Sequence, residues 1–520
     1  MRTIQRDEFA TLVFWLAIFL GLFVRFSPAW LAGFPVNDGG MFATMIDDLR
    51  ANHYLLPLFT SYNGMKIPFA YPPLGFYLGG LVADIFQINS LEVVRWLPAG
   101  FASLSVPVFY FLARRLSKTR LHASVATLIF ALVPRAFSWY VMGGGLARSP
   151  GQFFMLLTLL FVLRLYAEGK RRDLVLTGLF GALAVLSHPE AGVQAAISAV
   201  LFWLMLSRSR RTFFYSVFVA GLVLVFTSPW WVTVVLRHGI APFLAAAQTG
   251  SKDFAIFYLL FFSFTAELYA TLVAVLGMVG VGLHLARKEY LLSLWLLAPF
   301  LISGRSATNL AVLPLSILAA TAWLELLSAA APQPQPGHDS AENRLVPAQI
   351  GLFAYLAFYL TFSANQFAWQ SALAHLPPEQ REALAWVQAK TPSSARFLVL
   401  TGARPAFCDP LAEWFPALAR RESRFTVQGT EWTLGNQFGA FLREAGTLQT
   451  CVGQDADCVL RLTASVQYDY IYLAKTLRSE NCEPLDRELT FTHTVEGLRS
   501  NPRFETAYET PAVIIFRAVK

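Results

Sequence analysis

The sequence predicts a polytopic α-helical membrane protein of about eleven spans, followed by a small α/β domain. Hydrophobic residues make up 55% of the 520 residues and charged residues only 14%, which leaves too little polar surface for soluble domains of this size. Apolar runs suited to a bilayer recur up to residue 366. Beyond that point the composition becomes that of an ordinary soluble domain. We therefore expect a transmembrane domain at 1–366 and a C-terminal domain at 367–520.

Eleven apolar runs are candidate spans, because about 20 mainly apolar residues cross a bilayer. They are Phe9–Ser27, Val93–Ala113, Leu121–Trp139, Gly151–Ala167, Leu174–Ser187, Val193–Leu206, Phe213–Leu236, Ala266–Ala286, Tyr290–Ser303, Asn309–Ser328 and Val346–Asn365. Leu74–Phe86 is too short to span and contains Asp84, and Phe254–Phe264 directly precedes a full span. Both are predicted to be helices that lie at the membrane interface.

The basic residues predict the orientation of the chain. The net charge of +8 lies in short clusters between apolar runs, which is typical of orientation signals and not of nucleic-acid binding. These clusters, Arg114–Arg120, Lys170–Arg172, Arg208–Arg211 and Arg287–Lys288, share one side if the N-terminus is cytoplasmic. We expect a multi-pass protein of the plasma (inner) membrane, with the C-terminal domain outside.

The C-terminal segment has the patterns of an α/β domain. A Pro-Pro pair before Glu379 begins an amphipathic helix that ends near Lys390. Alternating or apolar runs predict strands at Phe397–Thr401, Tyr468–Leu473, Phe504–Tyr508 and Ala512–Phe516. Two acid-tryptophan pairs, Glu413-Trp414 and Glu431-Trp432, fit either sugar binding or simple core packing of the indoles.

All four cysteines lie in this C-terminal segment, at Cys408, Cys451, Cys458 and Cys482. In an oxidising compartment they could form disulfides, and a bond between Cys451 and Cys458 would close a short loop. Four unrelated thiols are the alternative. The spacing alone does not decide between them.

The first outer loop, residues 28–92, holds the most polar sequence between the spans. Phe42, Met45, Ile46 and Leu49 recur at helical spacing, so an amphipathic helix that lies on the membrane is predicted there. Asp38 stands at its start. Its carboxylate could cap the helix, or it could act as a general base that takes a proton from an attacking hydroxyl.

The order of these features resembles the protein O-mannosyltransferase and aminoarabinose transferase group of C-type (GT-C) membrane glycosyltransferases. The features are a first span, an Asp at the start of a surface helix, the Tyr71-Pro72-Pro73-Leu74 turn and an Ala-Arg-Arg-Leu cytoplasmic turn. The resemblance covers the layout of residues 1 to about 330.

The resemblance implies transfer of a sugar from a polyprenyl-phosphate carrier to an acceptor at the outer membrane face, with inversion at the anomeric carbon. Asp38 then matches the catalytic acid of the group. Two departures stand out: Gly39 occupies the place of a second acid, and Arg148 lacks the acid that often follows the corresponding arginine. Metal dependence and the acceptor, which could be protein, lipid or glycan, stay open.

Other ionisable residues are expected on the same side of the membrane. The resemblance assigns Arg305 to the carrier phosphate, a role for which a forked guanidinium is suited, although it could also be a snorkelling arginine. Arg148 and Lys66 are further candidates for the donor phosphate. Tyr71, His188, Glu190 and Glu267 are candidates for substrate binding, with a satisfied helix end as the alternative for His188 and Glu190.

The expected activity is therefore that of a lipid-linked sugar transferase, which uses no cofactor and for which no metal site is indicated. A lipid or glycan transporter should show internal repeats and charges near the bilayer midplane, and neither is evident. A non-catalytic subunit of a glycan assembly complex is the other alternative, because the mechanism depends on one Asp and one Arg. The expected partners are the sugar donor, an acceptor and membrane lipids.

Overall fold

The computed structural model describes residues 5–248, 265, 267, 271–302, 307–329, 345–403, 409–475 and 487–519. Several predictions lie outside these residues: the interfacial helix at Phe254–Phe264, the role of Arg305, and the state of Cys408 and Cys482.

Helices dominate the part of the chain up to residue 373. They are α1 Arg6–Ala32, α2 Gly40–Ala51, α3 Leu74–Phe86, α4 Ser90–Leu116, α5 Arg120–Leu132, α6 Gly145–Glu168, α7 Arg171–Ser187, α8 Pro189–Leu206, α9 Arg210–His238, α10 Ala241–Gln248, α11 Leu272–Ala286, α12 Leu291–Ile302, α13 Ala307–Ala329 and α14 Pro347–Leu373.

Each of the eleven predicted spans coincides with one of these helices, so the polytopic helical class is confirmed. Among the described residues, seven helices are long and apolar enough to cross a membrane: α1, α4, α6, α8, α9, α13 and α14. The helices at the other four predicted spans, α5, α7, α11 and α12, are shorter. Their inward faces pack into one apolar core with the long helices.

Two helix boundaries differ from the prediction for local reasons. The run Leu121–Trp139 was predicted as one helix, but α5 ends at Leu132 because Pro134 forces the preceding residue out of the helical region. Helix α6 begins at Gly145, six residues before the predicted start, and accommodates Pro150 near its first turn. As a result Arg148 belongs to the first turn of a span and not to a loop.

The residues after α14 form a five-stranded sheet with surrounding helices, as predicted for the C-terminal segment. The elements are α15 Pro378–Lys390, β1 Arg396–Leu400, α16 Pro410–Ala419, β2 Glu422–Ser423, α17 Phe438–Gln449, α18 Ala456–Leu462, β3 Tyr470–Ala474, α19 Arg487–Ser500, β4 Phe504–Glu509 and β5 Val513–Ala518. The strand order is β2-β1-β3-β5-β4, with β1 parallel to β2 and β3, and β5 antiparallel to β3 and β4. Cys451 and Cys458 form a disulfide, the pairing considered from the short spacing.

The first outer loop and the C-terminal segment share a single hydrophobic core. The predicted apolar stripe of α2 is buried, with Ile46 and Leu49 at 0% exposure. It packs against α3, α4 and α16 inside the protein, and not against lipid as expected. Phe34 of the loop meets Trp414 of α16 edge to face, with ring centroids 4.8 Å apart. The loop that carries Asp38 is therefore held between the spans and the sheet domain.

Candidate active site

Asp38 faces the start of α6 and uses both carboxylate oxygens there. Oδ1 accepts a hydrogen bond from the backbone N–H of Gly144 at 2.6 Å. Oδ2 accepts one from Nη2 of Arg148 at 2.7 Å, which makes an ion pair between residues 110 positions apart. The two side chains keep 19% and 24% of their surface exposed, so the pair is accessible to a ligand.

Arg148 is oriented by a second set of contacts. Its Nη1 donates to the carbonyl oxygen of Trp139 at 3.0 Å, and its guanidinium lies 5.4 Å from the centroid of the Trp139 ring. These contacts hold the guanidinium in one position while it binds Asp38. The sequence did not indicate Trp139 as part of the site.

Glycines allow the backbone to approach Asp38 this closely. A Cβ at Gly144 would collide with Oδ2 of Asp38 and with Nη2 of Arg148, and one at Gly143 would collide with the Asp38 carbonyl. The run Gly143–Gly145 therefore has a steric purpose at this site. These three glycines are the feature of the sequence that could have identified the start of α6 as the contact of Asp38.

The alternative that Asp38 caps α2 is wrong. The residue in the N-cap position is Gly39, with φ +123°, and the bonds of the Asp38 carboxylate go to Gly144 and Arg148. A side chain at Gly39 would also collide with Val94 and Gly143. The carboxylate of Asp38 points across to α6 instead. Asp38 therefore contacts a distant segment of the chain, although it directly precedes α2 in the sequence.

A second carboxylate reaches the same loop from the C-terminal segment. Oε1 of Glu413, on α16, accepts a hydrogen bond from the backbone N–H of Gly39 at 2.8 Å. Trp414, next to it, is fully buried and donates through Nε1 to the carbonyl of Asn37 at 2.9 Å. Core packing thus explains the tryptophan of this pair, whereas its acid lies at the site. Sequence reasoning did not connect Glu413 with Asp38.

Tyr71 joins the first loop to three other parts of the protein. Its ring lies 5.0 Å from Phe42 of α2, 5.6 Å from Trp432 of the C-terminal segment and 6.5 Å from His188. His188 lies between α7 and α8, and its Cβ would meet a Cβ at Gly151 of α6. Tyr71 is close enough to Arg148 to interact with it electrostatically. The structure therefore brings these two predicted residues to the side of the Asp38–Arg148 pair.

The remaining candidates lie at different distances from this pair. Glu190, in the first turn of α8, interacts electrostatically with Tyr140, whose carbonyl lies beside the start of α6. Glu267 accepts a hydrogen bond from the Ser363 hydroxyl of α14. Lys66 is exposed in the first loop with a left-handed backbone, φ 51°. No contact places Glu267 or Lys66 against the described pair.

Metal-binding clusters are not evident in the part of the chain that the structure describes, where no group of three or more His, Cys, Asp or Glu converges. Asp38 is engaged by a guanidinium and an amide.

Comparisons with known proteins agree with this architecture. Residues 70–232 match the family described as dolichyl-phosphate-mannose-protein mannosyltransferase. No individual curated protein matches the sequence significantly. The matched family segment runs from the Tyr71 turn to α9 and includes Arg148.

Solved structures resemble nearly the whole chain at low identity. The oligosaccharyltransferase of Archaeoglobus fulgidus, in complex with Zn and sulfate, has a TM-score of 0.59 and 17% identity over 89% of this chain and 68% of its own. ArnT from Cupriavidus metallidurans, bound to undecaprenyl phosphate, has a TM-score of 0.56 and 14% identity over 98% of each chain. The arabinofuranosyltransferase AftD from Mycobacteria has a TM-score of 0.56 and 17% identity, covering 99% of this chain and 40% of its own.

These comparisons confirm the predicted fold and the resemblance to GT-C glycosyltransferases. The enzyme class, glycosyltransferase, is confirmed as well, because the family that matches residues 70–232 is one of mannosyltransferases. A multi-pass membrane protein is likewise supported by the apolar helices.

Proposed function

From the premise that this chain has the GT-C fold, we propose that it transfers a sugar from a polyprenyl-phosphate donor to an acceptor hydroxyl, with Asp38 as the general base. The acceptor oxygen attacks the anomeric carbon, the bond from that carbon to the phosphate oxygen breaks, and polyprenyl phosphate leaves. The proton of the acceptor hydroxyl passes to the Asp38 carboxylate. Attack opposite the leaving phosphate inverts the anomeric carbon.

The accessible Asp38–Arg148 pair is the observation that supports this proposal. A carboxylate has about four lone-pair sites, and Gly144 and Arg148 occupy two of them, so a proton can still be accepted. Arg148 has further N–H donors for an anionic donor phosphate. The phosphate role of Arg305 continues to depend on the sequence resemblance alone.

The donor class is supported by what similar proteins bind. The ArnT structure contains undecaprenyl phosphate and a structure of the Archaeoglobus fulgidus protein contains dolichol-phosphate. Both are polyprenyl phosphates. Tyr71 and His188, which are half-buried, present rings on which the C–H face of a sugar can stack.

We further propose that residues 367–520 form a domain outside the plasma membrane, with the N-terminus of the chain in the cytoplasm. The basic clusters between spans support this orientation. The Cys451–Cys458 disulfide supports it independently, since disulfides persist in oxidising compartments. Transfer would then take place at the outer face of the membrane.

A donor panel tests the activity. Purified protein is supplied with undecaprenyl phosphate carrying different hexoses or pentoses and with lipid, glycan and peptide acceptors, and release of undecaprenyl phosphate is measured. Acceptor-dependent release that falls about 100-fold or more in Asp38→Asn supports the proposal. Turnover of Asp38→Asn equal to that of the parent would exclude Asp38 as the base. Asp457→Asn, an exposed Asp on α18, is the matched control.

A further inference from the structure

Several hydrogen bonds join α16 to the loop that carries Asp38. The Tyr62 hydroxyl donates to the carbonyl of Glu413 at 2.6 Å, and Asn63 exchanges two hydrogen bonds with the backbone of Ser423. Together with the bonds from Gly39 and Trp414, these contacts join four separate segments. The loop is thus bound on its α16 side by backbone and side-chain groups alike.

The glycines after Asp38 are what allows this approach. A Cβ at Gly40 would lie 2.7 Å from the carbonyl oxygen of Glu413, which is closer than real side chains come. Gly39 has φ +123°, a conformation that other residues rarely adopt. The place where the related group usually has a second acid therefore holds a residue without a side chain, and a carboxyl group from α16, that of Glu413, binds the backbone amide there.

We propose that Glu413 is a positioning residue of the transfer site, which holds Asp38 toward α6 by binding the backbone amides of Gly39 and Met41. The inference rests on the proposed function, in which Asp38 accepts the proton. The C-terminal domain then completes the site, because α16 supplies the oxygen that binds the Gly39 amide. Glu413 itself does not exchange a proton with substrate.

Charge supports the same arrangement. Burial and, after it, the negative charge of Asp38 raise the pKa of Glu413 to about 8, against the opposing effects of the Gly39 and Met41 amides and of Arg148. At neutral pH the protonated form therefore predominates. One cation, Arg148, then faces one anion, Asp38. The Tyr62 phenol, which donates to the Glu413 carbonyl, stays neutral because burial raises its pKa.

The sign of the pH dependence follows from this shift. The pKa of Glu413 is higher in the folded protein than in the unfolded chain, so its contribution to docking is complete at low pH and is lost as pH rises through about 8. Above that value a second carboxylate charge beside Asp38 repels it. Turnover should therefore fall above about pH 8, because the ionised Glu413 displaces the loop that carries Asp38.

The test compares Glu413→Gln and Glu413→Ala with the matched control Glu444→Gln, an exposed acid on α17. The kcat and KM of the donor panel assay are measured from about pH 6 to about pH 9.5, across the pKa of Glu413. An amide keeps the acceptor oxygen for Gly39 and cannot ionise. Glu413→Gln should therefore keep kcat within about threefold at pH 7 and lose less activity above pH 8 than the parent.

Glu413→Ala should lower kcat about 10-fold to 100-fold with a smaller change in KM, because a misplaced base affects the chemical step. Hydrogen exchange of residues 36–43, measured without substrate, should be faster in Glu413→Ala and unchanged in Glu444→Gln. If Glu413→Ala fails to fold, the pH profile of Glu413→Gln still decides. A Gln variant with the alkaline loss of the parent would overturn the inference, while an inactive Asp38→Asn in the same assay shows that the proposed function itself holds.

Discussion

Asp38 and Arg148 form an ion pair whose two members have different proposed roles, so variants of each residue can separate these roles. Removal of either charge breaks the same ion pair. The two roles proposed for them nevertheless differ, since one residue accepts a proton in the transition state and the other binds the phosphate. Kinetic constants can separate these roles even though the structural damage is shared.

Asp38→Asn should lower kcat with little change in the KM of the donor, because the amide keeps the Gly144 hydrogen bond and loses only basicity and charge. Arg148→Gln should mainly raise the KM of the donor, by about 10-fold or more, because a charged hydrogen bond to phosphate is lost. Arg443→Gln on α17, an exposed arginine, is the control. Equal losses of kcat in both variants, with KM unchanged, would mean that only the ion pair matters.

Gly144→Ala tests whether the glycine run serves the site. The new methyl group would displace the Asp38 carboxylate and the Arg148 guanidinium, so we expect a loss of kcat of at least about 10-fold. Gly100→Ala is the matched control, because a Cβ there meets nothing within 4 Å. Steady-state turnover and thermal unfolding are measured for both. A Gly144→Ala enzyme as active as Gly100→Ala contradicts the steric argument.

At the scale of elements, Arg25 holds three spans together. It lies on α1 with no exposed surface, and its guanidinium donates to the carbonyl of Ala102 on α4 at 3.1 Å and to that of Ala131 on α5 at 2.6 Å. A charge in such a place is costly unless its donors are used. Here two of them bridge neighbouring helices.

Arg25→Ala should destabilise the helical bundle by roughly 2–4 kcal/mol, because it removes hydrogen bonds from a charged group and leaves a cavity. Arg6→Ala, at the exposed start of the same helix, should be nearly neutral. Thermal unfolding in detergent measures both. The same melting temperature in the two variants would show that Arg25 is dispensable for the bundle.

Local pattern predicts elements far better than it predicts contacts. The short helix Leu74–Phe86 and four strands were expected at or within two residues of their starts, because each depends on apolar spacing within a few residues. Helix α16 was not expected, and neither was its contact with the Asp38 loop. Glu413 and Gly39 lie 374 residues apart, and no periodicity links such positions. The alternative that Asp38 caps α2 failed for the same reason.

At the scale of the whole molecule, orientation in the membrane is directly testable. In a variant with Cys408 and Cys482 replaced by Ser, single cysteines are introduced at Arg172 and at Ser394, both exposed. An impermeant thiol reagent applied to intact cells should label the cysteine at 394 and not the one at 172. The reverse result contradicts the orientation, and labelling of both after lysis shows that each thiol is reactive.

The shared core of the first loop and the sheet domain has a consequence for how the protein is made. Phe34 and Met41 are translated among the first residues, whereas Trp414, which packs in the same core, is translated after α14 has been completed. All the helices between the Asp38 loop and α16 are therefore synthesised before the loop can pack against α16. If Glu413 positions Asp38 as proposed, a nascent chain lacks this contact until α16 has been synthesised and has packed against the loop. Ribosome-stalled chains that end before α16 are therefore expected to be inserted but to turn over little substrate.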